Sequence, residues 1–134
     1  MIEVQATPAI STQVDNQAFT QTLRLMDGET EIARATWHCP ASASAGIIQI
    51  IELHVNEPFR RRGMGKRIMQ DVYKAATAYL KLRKAKFRRA WMAIEQKTQV
   101  VGRAFLTSRG YHHVSVINDL FVDQDLMIYI KSLD

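Results

Sequence analysis

The sequence predicts an α/β domain of the α+β type, in which an antiparallel hairpin precedes a parallel β-α-β crossover. Residues 19–26 and 30–37 alternate between apolar and polar side chains on either side of Asp27-Gly28, a dipeptide typical of tight hairpin turns. The crossover is indicated by a strand, a helix and a strand in succession, at residues 47–55, 65–82 and 90–94. With 134 residues, 47% of them hydrophobic, the chain has the size of one domain with one core.

The elements of the crossover have separate signatures. Residues 47–55 are apolar at nearly every position, which favours a strand covered on both faces. The helix has an apolar stripe at steps of three and four residues, which predicts that it packs on a sheet. That stripe consists of Ile68, Val72, Ala75, Ala76, Tyr79 and Leu82.

The N-terminal region has weaker patterns. Residues 2–6 alternate and predict a short first strand, whereas residues 8–16 are polar and predict irregular chain. Residues 40–46 are small and are bounded by Pro40 and Gly46, which is typical of a loop.

The C-terminal region predicts a short helix followed by two strands. Thr98 is its expected N-cap, and Gly110 is its expected left-handed stop. The inward face of that helix is expected to hold Val101, Ala104 and Phe105. Strands are expected over residues 111–116 and 126–130, separated by an acidic turn that contains Asp119, Asp123 and Asp125.

The composition of the chain indicates the cellular compartment in which the protein is expected. No run approaches the ~20 apolar residues that cross a bilayer. The first residues also lack the basic-then-apolar pattern of a signal peptide. Cys39 is alone, so no internal disulfide is possible. We therefore expect a cytoplasmic protein with no membrane partner.

The net charge of +5 is distributed unevenly. Residues 60–89 contain 12 of the 18 Lys and Arg residues and a single acid, Asp71, so the remainder of the chain is acidic. Such a segment suits coenzyme phosphates, nucleic acid or a solvated helix face. Few aromatic residues stand among these cations, which argues against a nucleic-acid surface.

A glycine-containing heptad joins the apolar strand to the helix. Glycine lets the backbone approach a ligand closely, and the first turn of a helix presents unpaired N–H groups at the positive end of its dipole. The heptad therefore predicts a binding site for a phosphate-bearing ligand, and a pyrophosphate suits it best. Its residues are Arg60, Arg61, Arg62, Gly63, Met64, Gly65 and Lys66.

The spacing Arg60-x-x-Gly63-x-Gly65 resembles the Arg/Gln-x-x-Gly-x-Gly/Ala signature of the GCN5-related N-acetyltransferase (GNAT) superfamily. The context is also similar, because Leu53-His54-Val55 and a loop with Pro58 and Phe59 precede the signature. A second segment, residues 104–111, resembles a later motif of that family. Together these segments cover about the last two thirds of the chain.

The resemblance implies a GNAT-like mixed, mostly antiparallel sheet with flanking helices, and acetyl-CoA as cosubstrate without a metal. The backbone groups of Leu53, His54 and Val55 would pair with the pantetheine arm at a bulge in the central strand. The amides from Arg61 through Lys66 would hold the pyrophosphate. Two helices usually follow the first strand in the family, and residues 8–18 are too few for both. Either the acceptor pocket is open or a second subunit, as in a homodimer, completes it.

Acetyl transfer to an amine requires a base. Glu52 and His54 lie two residues apart, hence on the same face as Ile48 and Ile50 if the strand is regular. A carboxylate and an imidazole in so apolar a run need partners or a cleft. Glu52 is the first candidate base and His54 the second, and a structural pairing of Glu52 with an arginine or a backbone donor is the alternative. Glu95 is a third candidate.

The chain departs from the family pattern at the general acid. The tyrosine that often protonates the coenzyme thiolate aligns with Leu106, and an asparagine aligns with Val101. Ser108 is expected to face elsewhere, and Tyr111 matches a structural aromatic residue. Loss of the acid slows transfer without forbidding it.

Three functions follow from these observations. The first is acetyl transfer to a primary amine of a small molecule or peptide. The second is an acyl-CoA-binding module or sensor with weak catalysis, which Leu106 and Val101 favour. The third, a nucleic-acid-binding domain, depends on charge alone.

Overall fold

The order of the elements gives a mixed sheet with two helices. The computed structural model describes residues 10–17, 20–95, 100–121 and 124–133. Within these ranges the strands form one sheet in the order β1-β2-β3-β4-β5-β7-β6. The elements are β1 (Ile10–Gln17), β2 (Thr20–Asp27), β3 (Thr30–His38), β4 (Ile47–Val55), α1 (Met64–Leu82), β5 (Arg89–Glu95), α2 (Val100–Ser108), β6 (His112–Phe121) and β7 (Gln124–Ser132).

The predicted hairpin and crossover are both confirmed. Strands β2 and β3 are antiparallel, and Gly28 occupies the turn with a φ of 61°. Strands β4 and β5 are parallel, with α1 as the crossover helix, while every other pairing in the sheet is antiparallel. The predicted mixed, mostly antiparallel sheet is therefore confirmed. Gly110 ends α2 with a φ of 89°, as expected of a left-handed stop.

The prediction of irregular chain was wrong for residues 10–16, the described part of the predicted segment. Strand β1 pairs along its whole length with β2, from Ile10 opposite Asp27 to Gln17 opposite Thr20. Ladder hydrogen bonds need no apolar side chains, and one neighbour is enough for an edge strand, so a polar segment can occupy this position. The predicted strand at residues 2–6, the cap Thr98 and Asp123 of the acidic turn lie outside the described residues.

Helix α1 packs on one face of the sheet. Its buried side chains are Ile68, Met69, Val72, Ala76 and Leu80, which share a core cluster with Leu23, Leu25, Ile48 and Ile50. Leu82, predicted to lie in the stripe, is 83% exposed. Successive i, i+4 steps rotate the buried line by about 40° each, so it has moved away from Leu82 by the last turn.

Helix α2 lies beside α1 on the same face. Leu106 and Tyr111 belong to the same core cluster as α1, and Phe105 packs against it. Ala104, predicted to face inward, is exposed, whereas Phe105 and Leu106 pack toward the core. Among the described elements, no α-helix covers the opposite face, which we call the open face; no described helix is long and apolar enough to span a membrane.

Strand β4 is covered on one face only, so the prediction that both of its faces are covered was wrong. Ile48 and Ile50 are buried, whereas Ile51 is 45% exposed. Ile51 is the extra residue of a β-bulge, because Trp37 pairs with Ile50 and Thr36 with Glu52. A bulge shifts the alternation of side chains by one position, so Leu53 and Val55 follow Ile50 toward the core.

A buried tyrosine pair joins α1 to the residue that precedes β6. The hydroxyls of Tyr73 and Tyr111 are 2.6 Å apart. Burial raises the pKa of both phenols, more strongly for Tyr111, which is 1% exposed. Each hydroxyl therefore depends on the other for a hydrogen bond in an apolar setting.

We expect Tyr73→Phe and Tyr111→Phe each to lower the free energy of unfolding by about 1–2 kcal/mol, since each leaves a buried hydroxyl unpaired. The double variant should cost less than the sum of the two, by about 1 kcal/mol. Because both pKa values are raised in the folded state, the wild-type should lose stability as the pH rises past the ordinary tyrosine value of 10.0. Urea denaturation measures each quantity, and additive costs in the double variant would contradict the coupling.

Candidate functional site

A cleft opens where β4 and β5 separate. The two strands pair only from Ile47 opposite Arg89 to Gln49 opposite Trp91, and beyond that point β4 has no partner on this side among the described strands. The cleft has a volume of about 700 Å³, within the range of small-molecule sites. Its described lining residues are Leu53, His54, Val55, Phe59, Arg60, Arg61, Gly63, Met64, Gly65, Lys66, Gly102, Phe105, Ser108 and Arg109.

The floor of one end of this cleft is a row of free backbone donors. The first helical hydrogen bond of α1 runs from the amide of Arg67 to the carbonyl of Gly63. Within the described chain, the amides of residues 61–66 have no hydrogen-bond acceptor. These donors lie at the positive end of the α1 dipole, which favours an anion. The turn is therefore neither blocked nor internally satisfied.

The backbone that presents these donors is unusual. Gly63 has a φ of 77°, and Arg61 has a φ of 63°, a conformation that non-glycine residues seldom adopt. Left-handed residues in a turn direct successive N–H groups into a concave nest that binds anions. The strained backbone conformation of Arg61 therefore lies within the predicted phosphate site, where it helps to direct the N–H groups toward an anion.

The two glycines of the signature have different roles. A Cβ at Gly63 would meet nothing within 4 Å, because this residue faces the open cleft. A Cβ at Gly65 would lie 3.2 Å from the ring of Phe105. Gly63 therefore keeps space for a ligand, whereas Gly65 allows α2 to approach α1 closely. The sequence had assigned both to the ligand.

The predicted cations are arranged unequally around the loop. Arg60 donates from Nε to the carbonyl of Val55 at 2.9 Å, which ties the loop to the end of β4. Arg61 and Lys66 are exposed and line the cleft, and neither forms an ion pair with a described carboxylate. Arg62 is exposed but is not among the lining residues.

The bulge at Ile51 changes the faces of the candidate bases. Glu52 and His54 pair with Thr36 and Arg34 and lie on the open face, opposite to Ile48 and Ile50. The expectation that they share the face of those isoleucines was wrong, because regular alternation had been assumed across the bulge. The bulge itself agrees with the one that the family resemblance implied.

Glu52 has structural partners. Its carboxylate accepts from Arg34 Nε at 3.0 Å and faces the Thr36 hydroxyl at 3.5 Å. The hydrogen bond with Glu52 is the main cause that raises the pKa of Arg34, followed by the bond with Glu31. Glu31 forms ion pairs with both Arg34 and Arg24, and Arg24 also pairs with Asp15. Glu52 does not line the cleft.

His54 lines the cleft and has an orienting partner. Its Nε2 lies 3.0 Å from Oδ1 of Asn56, and the Asn56 amide donates from Nδ2 to the carbonyl of Glu31 at 2.6 Å. Because that donation fixes the amide with its oxygen toward His54, Nε2 carries the proton in the neutral ring. Nδ1 then holds a lone pair, and no described group donates to it.

Helix α2 supplies a wall of the cleft that the sequence did not predict. Leu106, at the position of the family tyrosine, is 1% exposed and lies in the core. Ser108 was expected to face elsewhere, but it lines the cleft together with Arg109. Its hydroxyl donates to the carbonyl of Phe105 at 2.6 Å. The signal that was missed is the i, i+3 spacing from Phe105 to Ser108, which places both on one side of a helix.

Some predicted features remain outside what the structure describes. The side chains of Glu95 and Val101 are not described, so their predicted roles stay predictions. Tyr111 is buried in the core, as expected of a structural aromatic residue.

Comparisons with known proteins agree on the fold. No protein-family model matches the sequence, and no curated protein sequence matches it. Solved structures do match, among them a GNAT family acetyltransferase from Elizabethkingia anophelis with acetyl-CoA bound, at 12% identity and a TM-score of 0.70 over 93% of this chain and 99% of that one. An acetyltransferase from Bacillus subtilis in complex with CoA matches at 9% identity and a TM-score of 0.74, with the same coverage of 93% and 99%.

A third similar structure is the ribosomal-protein-S18-alanine N-acetyltransferase from Escherichia coli. It matches at 13% identity and a TM-score of 0.66, over 89% of this chain and 72% of that one. At such identities the likeness establishes the fold. The GNAT-like architecture predicted from the sequence is therefore confirmed.

Proposed function

We propose that this chain, which has the fold of the GNAT acetyltransferases, binds acetyl-CoA and transfers its acetyl group to a primary amine. The observation that carries the proposal is the row of unsatisfied amides at residues 61–66, at one end of a cleft of about 700 Å³. Solved neighbours with acetyl-CoA or CoA bound support the choice of ligand.

The residues of the chain fit such a ligand. The amides of the loop and Arg61 and Lys66 suit a diphosphate, since both backbone donors and unpaired cations converge there. The unpaired edge of β4 at Leu53 and His54 offers N–H and C=O groups to an extended amide-containing arm, as another strand would. The carbonyl of Val55 is already engaged by Arg60 and contributes less.

The chemistry joins the amine nitrogen to the acetyl carbon and breaks the carbon–sulfur bond, and the amine proton must leave to a base. We place His54 first for that role, because it lines the cleft and its Nδ1 is free. Glu52 is second, because Arg34 holds its carboxylate outside the cleft lining. The hydrogen of Ser108 is committed to Phe105, so solvent protonates the leaving thiolate in this proposal.

The acceptor is a small-molecule or peptide amine. The open face beside Glu52 and His54 is consistent with an exposed acceptor site, and a second copy of the chain is the proposed alternative for completing it. We expect the reaction to take place in the cytoplasm.

Calorimetry with acetyl-CoA and with desulfo-CoA tests the binding half of the proposal, and both should bind. Absence of binding at low salt would overturn both this proposal and the alternative of an acyl-CoA sensor. Release of free thiol in the presence of a panel of amines then tests transfer. Binding without release would favour the alternative of an acyl-CoA sensor, which the buried Leu106 supports.

A further inference from the structure

The α2 wall of the cleft carries a cation to which the proposed reaction gives no role. Arg109 and Ser108 line the same cleft as Gly63 and Lys66. Phe105, one turn before Arg109, contacts the position of Gly65, so the end of α2 is fixed beside the start of α1. Arg109, the residue that follows α2, therefore lines the cleft from a different element than the amides of residues 61–66.

The guanidinium of Arg109 is oriented but not neutralised. Its Nε donates to the Ser108 hydroxyl at 3.4 Å, and that hydroxyl donates in turn to the carbonyl of Phe105. No described carboxylate forms an ion pair with it, and its terminal nitrogens have no acceptor in the described chain. Its charge acts on the nearby Tyr73, whose hydroxyl already pairs with Tyr111.

A half-buried cation with free donors on a cleft wall suits a ligand anion. The amides of the loop can satisfy one diphosphate, and they belong to a different element of the cleft from Arg109. A ligand that engages the loop amides and Arg109 together therefore has room for a second anionic group besides its diphosphate.

We propose that Arg109 binds a phosphate monoester of the ligand that is separate from the diphosphate, and that it thereby selects the 3′-phosphorylated form of the coenzyme. The inference rests on the proposed function, in which the ligand is acetyl-CoA. A cation at a helix C-terminus also stabilises the helix through its dipole, but that effect does not distinguish one ligand from another.

The test compares acetyl-CoA with acetyl-3′-dephospho-CoA by calorimetry. The wild-type should bind acetyl-CoA about tenfold or more tightly than the dephosphorylated form, as expected for a charge-assisted hydrogen bond. Arg109→Gln should lose most of that ratio by weakening acetyl-CoA alone, and Arg109→Lys should keep part of it. Arg88→Gln removes the same charge from an exposed position beyond the far end of α1 and should leave the ratio unchanged.

Each other outcome has a defined meaning. Equal weakening of both ligands by Arg109→Gln would place Arg109 at the diphosphate and overturn the inference, as would a ratio that the substitution leaves intact. Wild-type protein that binds neither ligand would remove the proposed function, and this inference with it. Urea denaturation of the variants separates a loss of folding from a loss of recognition.

Discussion

Gly63→Val is expected to abolish binding of acetyl-CoA, with a loss of at least about 100-fold in affinity, because several charge-assisted hydrogen bonds depend on this turn. A side chain here would enter the open cleft, where the protein itself leaves the space empty. The φ of 77° would also have to change, which would redirect the neighbouring amides. Calorimetry with acetyl-CoA measures the effect.

Gly28→Val provides a matched control. Gly28 has a φ of 61° and open space around its Cβ position, but it lies in the β2–β3 turn and not in the cleft. Both variants should lose about 1–2 kcal/mol of stability from left-handed strain, whereas only Gly63→Val should lose binding. If Gly63→Val bound acetyl-CoA as tightly as Gly28→Val does, the loop would not be the diphosphate site.

His54→Gln should lower kcat for acetyl transfer by about 10²–10⁴-fold at neutral pH, the range that positioned bases contribute. The affinity for acetyl-CoA should change little, because the loop that holds the diphosphate is not altered. Glutamine is similar in size and can still donate to Asn56, so the local hydrogen bond is kept. Thiol release under saturating acetyl-CoA measures kcat, and calorimetry measures the affinity.

Glu52→Gln is the comparison that decides between the two candidate bases. The glutamine oxygen can still accept from Arg34, so the ion-pair chain is weakened but not removed. We expect a loss of less than about tenfold in kcat, well below the range for a positioned base. A large loss in Glu52→Gln combined with normal turnover in His54→Gln would reverse the assignment.

Much of the fold could be predicted because its signals are local. The turn at Gly28, the helix after Gly65 and the stop at Gly110 each depend on the conformational preferences of a few neighbouring residues. Strand β1 was not predicted because it is stabilised by hydrogen bonds to β2, and the composition of the segment gives no signal of that pairing. Leu82 was misplaced because the buried line of a helix drifts along its length.

Some features of the candidate site could also be predicted from the sequence, whereas others depend on the tertiary structure. The free amides at residues 61–66 follow from the sequence, because a strand-to-helix junction with glycine at Gly63 has unpaired donors wherever it is placed. The faces of Glu52 and His54 could not be predicted, because one bulged residue, Ile51, reverses the alternation and is fixed only by pairing with β3. The tertiary structure also decided that Arg109 lines the same cleft as the loop, because the close approach of Phe105 to Gly65 joins segments forty residues apart.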